Sequence, residues 1–470
     1  MQEYKVAIIG GGIVGACLFS DLTRKGVSCV LLEAASDVSN GSTKANSGIV
    51  HAGYDPEPNT LKARFNIRGN QLYPAMCARL KVDILQCGTL VVTDEENRNG
   101  LNELYERGLE NGVQGLRIIE REELHTMEPN LAEHISCGLF APTGAVISPY
   151  LTCIALCEEG VINGGEVKLN FMVDKIEKNE EKYQIFAGKD SVLAEYVVNC
   201  AGVGANTINA LVGAPEVPMK YVKGEYLLLD KSQNGFVNRP IFPLPTKMGK
   251  GILALPTLHG NIMLGPTAIP CEPHDTATTE AGIATIKEKV ELSVKTPNYK
   301  KVIKLFAGVR VISGDDFVIE KMEDSHFFYT AGICSPGLTA APAISEYLVE
   351  KLQEDGLEFE PHEFVQRKPY VCTEKMNKKE LKELIKNNPT YGKIVCRCEK
   401  ISEGEILEAL ASPLKPTDVD AIKRRVRPTM GRCQGGFCLP KVLKIIATYH
   451  GITLDDVQLN GENSQILIKE

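Results

Sequence analysis

The sequence predicts an α/β protein in which two larger units are interleaved and a small helical domain lies near the C-terminus. Three observations support this prediction. The chain opens with a strand, a glycine-rich turn and a helix, and a second strand, turn and helix occupies residues 326–352. The free amides at both helix starts suit the same kind of anionic ligand. Four cysteines are clustered between residues 396 and 438.

The composition is that of a globular protein with several domains. The 470 residues are 43% hydrophobic and carry a net charge of −8. This acidic balance argues against nucleic-acid binding, since phosphate backbones attract clustered Lys and Arg. We find no secretory signal, and no stretch has the ~18 uninterrupted apolar residues of a membrane span. We therefore expect a cytoplasmic protein that contacts a membrane at most through its surface.

The fifteen cysteines are expected to be reduced. Their number is odd, and the chain lacks the features of a small secreted domain stabilised by disulfides. Eleven are scattered, and those in apolar runs, such as Cys17, Cys29 and Cys200, are expected to pack as small hydrophobic side chains.

The N-terminal unit has the pattern of a dinucleotide-binding βαβ motif. Gly10 permits a tight turn, Gly12 allows a pyrophosphate to approach the backbone, and Gly15 allows the helix to pack on the strand. Glu33 follows the second strand, 23 positions after Gly10. A carboxylate there accepts hydrogen bonds from ribose hydroxyls and repels a 2′-phosphate. The motif predicts a Rossmann-like domain that binds FAD or NAD, without separating the two, and disfavours NADP.

Five further segments carry a resemblance to a known family. They are residues 41–53, 196–202, 223–226, 308–310 and 331–339. In this order they resemble cofactor loops and substrate-domain strands of the D-amino-acid oxidase superfamily, in its branch of FAD-dependent glycerol-3-phosphate dehydrogenases and L-2-hydroxyglutarate oxidases, over most of residues 4–352. Without the resemblance, the alternative for the last of these turns is a simple connection between a strand and a helix.

The resemblance implies FAD as the cofactor and a substrate domain built on a mixed or antiparallel sheet. It also implies a set of FAD-contacting residues in addition to the glycine motif and Glu33. These are Ser42, Thr43, Asn46, Ser47, Gly48, Val173, Ala201, Gly202, Gly332, Gly337, Leu338 and Thr339.

The clustered cysteines form a C-x-C pair and a C-x4-C pair separated by 34 residues. They are Cys396, Cys398, Cys433 and Cys438. Four thiolates can hold a small metal centre, and two glycines in the second pair allow backbone amides to turn towards bridging sulfides. Zinc is the alternative, although zinc sites more often combine two C-x2-C pairs. In spacing and helix order the segment resembles the bacterioferritin-associated ferredoxin type of [2Fe-2S] domain.

Oxidation of a secondary alcohol needs a hydride acceptor, a base for the hydroxyl proton and a cation for an anionic group of the substrate. His51 matches the histidine that lies beside the flavin in glycerol-3-phosphate dehydrogenases, so the resemblance makes it the candidate base. Arg310 matches the family's substrate-anchoring arginine, and its guanidinium is a planar, permanently charged fork. Without the resemblance, a lone histidine is more often a packed or exposed bystander, and the alternative for the arginine is an ordinary surface ion pair.

Two branches of the family compete over the substrate. Residues 46–48, 51–53 and 61–63 resemble L-2-hydroxyglutarate oxidases, whereas the fused cysteine domain resembles anaerobic bacterial glycerol-3-phosphate dehydrogenases. Since a chain with its own cluster suits onward electron transfer, we expect oxidation of sn-glycerol 3-phosphate to dihydroxyacetone phosphate, with hydride transfer to FAD and electron release through the cluster. The alternatives are a 2-hydroxyglutarate or other 2-hydroxy-acid dehydrogenase, a subunit of an amino-acid or opine dehydrogenase, and a non-catalytic flavin and iron–sulfur electron carrier.

Two features bear on partner proteins. Related bacterial chains work with a second flavoprotein, so the resemblance implies such a partner or an electron-transfer subunit. The basic run at residues 423–427 is either a solvated helix face or a surface that steers an acidic redox partner.

We expect five units along the chain. Residues 1–80, 150–215 and 310–372 are predicted to form the FAD domain, and residues 81–149 and 216–309 the substrate domain. Residues 373–389 are predicted to be a linker, residues 390–455 the [2Fe-2S] domain and residues 456–470 a tail.

Overall fold

The computed structural model describes residues 2–179, 181–245 and 251–467. Numbered in chain order, the helices are α1 (Ile13–Thr23), α2 (Leu61–Leu80), α3 (Arg98–Glu110), α4 (Arg121–Met127), α5 (Pro149–Ile162), α6 (Ala205–Val212), α7 (Glu280–Val290), α8 (Gly337–Glu354), α9 (Lys378–Asn387), α10 (Glu403–Leu410), α11 (Val419–Val426) and α12 (Leu439–His450). The strands are β1 (Gln2–Ile9), β2 (Cys29–Leu32), β3 (Ile49–Val50), β4 (Ile84–Leu85), β5 (Thr89–Thr93), β6 (Arg117–Glu120), β7 (Cys137–Ala141), β8 (Ala145–Ile147), β9 (Glu166–Lys168), β10 (Lys175–Asn179), β11 (Lys182–Ala187), β12 (Asp190–Asn199), β13 (Lys220–Leu229), β14 (Ile241–Pro243), β15 (Leu253–Pro256), β16 (Ile262–Gly265), β17 (Ile269–Pro270), β18 (Val302–Ile312), β19 (Val318–Lys321), β20 (Phe327–Ala331), β21 (Ile394–Cys396) and β22 (Ile401–Ser402).

The first sheet is parallel at its centre, as the N-terminal motif predicts. β1 lies between β2 and β12, β9 lies beyond β2, β20 runs beside the end of β12, and all these pairs are parallel. Alternate residues of β1 point to opposite faces. Val6 and Ile8 join the core formed with α1, α2, α5 and α8, whereas Ala7 and Ile9 join the core on the side of α6. The sheet therefore has helices on both faces, which confirms the predicted α/β fold.

The second sheet is mixed and mainly antiparallel. Its order is β17-β13-β16-β15-β14-β5-β7-β6, and β14 and β5 are the parallel neighbours. β18 pairs with β13 along the whole of β13, from Lys220 opposite Ile312 to Leu229 opposite Val302. The predicted boundary at residue 310 therefore falls inside a strand, since β18 belongs to this sheet. The mixed character of the sheet agrees with the expectation for the substrate domain.

The cysteine-containing region is a separate small helical unit. α10, α11 and α12 surround a core in which Ile406, Ile422, Val442 and Ile446 are fully buried. Val457 is buried in the same core, so the chain beyond residue 455 packs on this unit rather than forming a separate tail. The segment between the larger units and this one contains α9, the lysine-rich helix expected from the sequence.

Two general expectations also bear on the fold. All fifteen cysteines are free thiols, and Cys17, Cys29 and Cys200 are buried. Burial raises the pKa of the Cys200 thiol to about 12, so this thiol is protonated and unreactive at neutral pH. Within the described ranges, no helix combines the length and the apolar character that crossing a membrane requires.

Candidate active site and cysteine cluster

The glycine-rich turn between β1 and α1 forms one end of a cavity. Gly10 has a φ of +113°, and a β-carbon there would lie 2.5 Å from the carbonyl oxygen of Cys200. A β-carbon on Gly15 would lie 2.1 Å from the carbonyl oxygen of Gly10, so the helix packs against the strand as the motif predicts. Gly12 is the N-cap of α1 and has no side chain of its own to cap the helix. Room therefore remains for a pyrophosphate at the helix N-terminus.

Glu33 lies at the end of β2, where the motif places a ribose-binding carboxylate. Its Oε2 accepts a hydrogen bond from the amide of Gly11 at 2.7 Å, and its Oε1 accepts one from the amide of Ala35 at 2.8 Å. Burial raises the pKa of the Glu33 carboxyl, and the backbone amides partly oppose this shift. The carboxyl lines the cavity beside the glycine turn.

The loop that follows residue 41 is fixed by its own polar side chains. Thr43 Oγ1 accepts a hydrogen bond from the amide of Ile13 at 3.0 Å, which ties the loop to α1. Ser42 Oγ donates to a carbonyl oxygen of β18 at 2.7 Å, which ties it to the second sheet. Asn46 Nδ2 donates to Thr43 O at 2.9 Å, and Asn46 Oδ1 accepts from the amide of Gly48 at 2.8 Å. The loop therefore joins the two larger units beside the cavity.

A cavity of about 1190 Å³ is lined by residues of both larger units. This exceeds the ~300–1,000 Å³ of ordinary small-molecule pockets, and it fits an extended dinucleotide together with a small substrate. Thirteen of the predicted cofactor-contacting residues line it. They are Gly10, Gly12, Glu33, Ser42, Thr43, Asn46, Ser47, Val173, Ala201, Gly202, Gly332, Gly337 and Leu338.

Three residues of the predicted cofactor-binding set do not line the cavity. Gly15 packs against the turn at Gly10, which is the role that the motif predicts for it, and a β-carbon on Gly48 would lie 2.6 Å from the carbonyl oxygen of Ile147. Thr339 is fully buried, and its hydroxyl accepts the hydrogen bond of a backbone amide in the wall. Close packing of backbone therefore explains these residue types better than contact with a ligand.

His51 follows β3 and faces the cavity. Its amide donates to Thr339 Oγ1 at 2.9 Å, and its Nε2 lies 3.5 Å from Ser335 Oγ. The ring packs against Phe242, with centroids 5.9 Å apart and planes inclined by 52°. The carbonyl oxygen of His51 accepts hydrogen bonds from Asn66 and from a neighbouring asparagine on α2. The backbone of His51 is thus fixed by hydrogen bonds and its ring by packing, and the ring lines the cavity.

Arg310 lies on β18 and lines the same cavity. Its Nη2 donates to the carbonyl oxygen of Thr267 at 2.8 Å, whereas its Nε is buried and has no hydrogen-bond partner among the residues that the structure describes. Burial raises the pKa of the nearby Tyr226 phenol to about 12, and the positive charge of Arg310 opposes this shift. A guanidinium that is fixed by Thr267 and whose Nε–H has no partner among the described residues suits an anionic ligand.

Several cavity residues were missed by sequence reasoning. Ser335 lies in a turn already assigned to the cofactor, but its contact with His51, 284 positions away, has no signal in the sequence. Thr267, Phe242 and Tyr226 line the cavity from strands or loops of the second sheet. Of these, Tyr226 lies in a segment that resembles the family, and the other two belong to no motif.

The four clustered cysteines come together as two close pairs. The Sγ atoms of Cys398 and Cys433 are 3.6 Å apart, and Cys396 is hydrogen-bonded to Cys438. This hydrogen bond lowers the pKa of Cys396 to about 6, helped by nearby backbone amides. Within the described part of the chain, no group of three or more His, Cys, Asp or Glu side chains is arranged closely enough to bind one metal ion. Four sulfurs with backbone N–H donors nevertheless form a donor set that fits a [2Fe-2S] cluster or zinc.

The basic run at residues 423–427 holds two units together. Arg424 and Arg425 are 4% and 3% exposed, and both bind Asp37, at 2.8 and 2.7 Å. Arg427 binds Glu399 at 3.0 Å. The two interpretations of this run as a solvated helix face and as a steering surface are therefore wrong. Its central arginines attach the cysteine-containing unit to the loop that follows β2.

Comparison with known proteins extends to both parts of the chain. Residues 5–351 match the family described as FAD dependent oxidoreductase, and residues 394–448 match the BFD-like [2Fe-2S] binding domain. A glycerol 3-phosphate dehydrogenase of Caloramator mitchellensis is 40% identical over 470 residues, which cover 99% of this chain and 98% of that protein. The mitochondrial L-2-hydroxyglutarate dehydrogenase of Bos taurus is 33% identical over 57% of this chain and 61% of its own length.

Among solved structures, the L-alpha-glycerophosphate oxidase of Mycoplasma pneumoniae with FAD bound has a TM-score of 0.74 and 26% identity. The match covers 79% of this chain and all of that one. These similarities confirm the predictions of FAD and of a [2Fe-2S] cluster as cofactors, and they favour the cluster over zinc. The chain therefore belongs to the FAD dependent oxidoreductase family and carries a BFD-like [2Fe-2S] binding domain behind its larger units.

Proposed function

We propose that this protein oxidises sn-glycerol 3-phosphate to dihydroxyacetone phosphate and releases the electrons through its [2Fe-2S] domain. The observation that carries the proposal is that His51 and Arg310 line one cavity with the glycine turn. A base and a fixed cation thus share the space in which the flavin would lie. The Caloramator relative, which matches both parts of the chain, supports this choice of substrate.

His51 and Arg310 have separate roles in the proposal. Arg310 binds the phosphate through its fork, which leaves the secondary alcohol facing His51. His51 Nε2 takes the hydroxyl proton, while the hydrogen bond from its amide to Thr339 Oγ1 and the packing of its ring against Phe242 hold the residue in place. FAD, when bound, supplies the acceptor for the hydride that leaves the same carbon. Together the proton and the hydride account for the two hydrogens lost from the alcohol.

Other residues hold the two cofactors in this proposal. The glycine turn and Glu33 bind the pyrophosphate and ribose of FAD, and Ser42, Thr43 and Asn46 form the loop over the remainder of the dinucleotide. The four clustered cysteines bind the [2Fe-2S] cluster. The domain division is also proposed, with β18 assigned to the substrate domain and the chain through Val457 to the cluster domain.

A 2-hydroxy acid is the second candidate substrate. Its carboxylate would bind Arg310 as a phosphate does, and the Bos taurus relative matches more than half of the chain. The cytoplasmic location and the second flavoprotein stay predictions.

Anaerobic visible spectra distinguish the two substrates. We expect sn-glycerol 3-phosphate to bleach the flavin absorbance of the purified protein within one turnover, and L-2-hydroxyglutarate to leave it unchanged at equal concentration. Bleaching by the hydroxy acid alone would transfer the proposal to the second substrate. Bleaching by neither, in protein shown to contain FAD and iron, would contradict both and favour an electron carrier or an amino-acid dehydrogenase subunit.

A further inference from the structure

An exposed aromatic side chain lies in the loop between two cluster cysteines. Phe437 directly precedes Cys438, and it is 82% exposed, more than any other large apolar side chain in the described ranges. It lies two residues before α12, whose inner face is packed in the core of the domain. A phenylalanine exposed to this degree contributes little burial to the fold, so most of its ring surface is available to a partner.

The surface around Phe437 is basic although the chain as a whole is acidic. Beyond the basic run that is already ion-paired, residues 428–454 contain three Lys and Arg and neither Asp nor Glu, in a protein with a net charge of −8. Lys441 and Lys444 lie one turn apart on α12, both are exposed, and neither forms an ion pair within the described part of the chain. They therefore present uncompensated positive charge beside the aromatic ring.

Two arginines next to cluster cysteines extend this charge. Arg397 lies between Cys396 and Cys398 and is exposed. Arg432 directly precedes Cys433, and although it contacts Asp230 at 3.2 Å, its side chain is 69% exposed. Arg432 therefore contacts the second sheet through Asp230, but most of its side chain stays exposed, in contrast to the buried Arg424 and Arg425.

We propose that Arg397, Arg432, Phe437, Lys441 and Lys444 form a docking surface, here called the Phe437 patch, for an acidic one-electron carrier protein. This inference rests on the proposed function, because it places the exit of the substrate's electrons at the cysteine domain. In each encounter the reduced protein loses one electron and one carrier molecule gains it. Two encounters therefore return the protein to its oxidised state after one substrate.

The positive charge of the patch and its small apolar area favour a protein partner over a membrane. A basic patch attracts an acidic carrier over the Debye length and raises the association rate, while a central aromatic ring supplies a desolvated anchor. A single phenylalanine buries too little apolar surface to anchor a chain of 470 residues in a bilayer. Arg397, Arg432 and Phe437 are each next in sequence to a cluster cysteine, so a carrier bound there is close to the electron donor.

Rubredoxin, a small acidic one-electron protein, is a suitable probe. The protein is reduced with dithionite, freed of excess reductant, and mixed with oxidised rubredoxin in a stopped-flow instrument at low and at high salt. Electron loading by dithionite needs no substrate, so this test is independent of whether glycerol 3-phosphate is the donor. Binding of oxidised rubredoxin to the oxidised protein is measured in parallel by calorimetry.

We expect Lys441→Glu/Lys444→Glu to lower the second-order rate about tenfold or more at low salt, and to remove most of the salt dependence. Phe437→Ala is expected to weaken binding several-fold with little change in salt dependence. The matched control is Lys379→Glu/Lys382→Glu, two exposed lysines at the same spacing on α9, which should leave the rate unchanged. Cluster absorbance and the rate with neutral duroquinone should be unaltered in all three.

Three results would overturn the inference. One is an equal loss of rate in the α9 control, which would show that the net charge of the protein, and not the position of the lysines, determines the rate. The second is an unchanged rate and affinity in both patch variants. The third is a wild-type protein that sediments with phosphatidylglycerol vesicles and patch variants that do not, while the rate of rubredoxin reduction is the same in all of them. That result would assign the patch to membrane binding.

Discussion

The guanidinium of Arg425 binds both carboxylate oxygens of Asp37, at 2.7 and 2.9 Å, across the contact between the cysteine domain and the first sheet. Arg424 adds a hydrogen bond to the same carboxylate at 2.8 Å, and all three residues are buried. Asp37 lies four positions after Glu33, and the amide of Ser39 donates to the carbonyl oxygen of Gly11. The cysteine domain thus fixes the loop that borders the nucleotide end of the cavity.

Asp37→Asn should loosen both the domain contact and the FAD site. Removing one charge from a buried ion pair costs about 3–5 kcal/mol, because the remaining guanidiniums stay buried without a counter-charge. We expect a lower Tm, faster proteolysis between the larger units and the cysteine domain, and weaker FAD binding. Differential scanning calorimetry, limited trypsin digestion and fluorescence titration of FAD measure these three effects.

Glu120→Gln is the matched control for that variant. Glu120 binds Arg98 at 2.6 Å, but this pair lies at the surface, where such bonds contribute about 0–1 kcal/mol. We expect little change in Tm and none in FAD binding. A similar loss of FAD in both variants would show that Asp37 does not act through the nucleotide loop.

The contribution of Asp37 should depend on pH. Burial alone would raise the pKa of Asp37, but Arg425 and Arg424 together lower it. An acid with a lowered pKa stabilises the folded state above its unfolded pKa of about 3.9, and this contribution is lost as the pH falls through the folded value. The difference in urea midpoint between wild type and Asp37→Asn should therefore be constant near neutrality and shrink below about pH 4. A difference that persists unchanged at lower pH would contradict this assignment.

The sequence predicts local features of this protein better than distant contacts. The glycine turn and Glu33 are identifiable because a βαβ unit requires them within one short segment. The cysteine pairs are identifiable by spacing. The basic run was misinterpreted because its counter-charge, Asp37, lies 388 positions from Arg425 and belongs to another unit. No helical pattern in residues 423–427 distinguishes a buried cationic face from a solvated one.

The same limit applies to the cavity. Thr339 was expected to contact the cofactor because other residues of its loop line the cavity. Its hydroxyl instead accepts a hydrogen bond from the amide of His51. The direction of a side chain within a correctly assigned loop depends on what packs behind it. Likewise, Thr267 fixes Arg310 through a backbone carbonyl, an interaction available to any residue type and therefore without a sequence signal.

His51 and Arg310 should differ in which kinetic constant they affect. His51→Asn is expected to lower kcat for sn-glycerol 3-phosphate by about 10²–10⁴-fold, since general base catalysis contributes that much. Arg310→Met should mainly raise KM, by about 10–100-fold, as expected for the loss of a charged hydrogen bond of ~1.5–3 kcal/mol. Steady-state assays with a neutral quinone as acceptor measure both.

Arg68→Met provides the control for these two variants. Arg68 binds Glu346 at 2.8 Å at the surface and does not line the cavity, so kcat and KM should both stay near the wild-type values. An increase in KM equal to that of Arg310→Met would indicate a general effect of positive charge rather than anchoring of the substrate. An unchanged kcat in His51→Asn, with FAD bound, would remove His51 as the base.

Cys398→Ser should separate substrate oxidation from electron release. Serine is a poorer ligand for iron than a thiolate, so we expect loss of iron and sulfide and of the broad absorbance beneath the flavin bands. Bleaching of the flavin by sn-glycerol 3-phosphate should persist, because the cavity does not include this cysteine. Transfer to one-electron protein acceptors should be lost. Cys87→Ser, at a half-buried scattered cysteine, should change none of these properties. Zinc in place of iron in the wild type would contradict the cluster assignment directly.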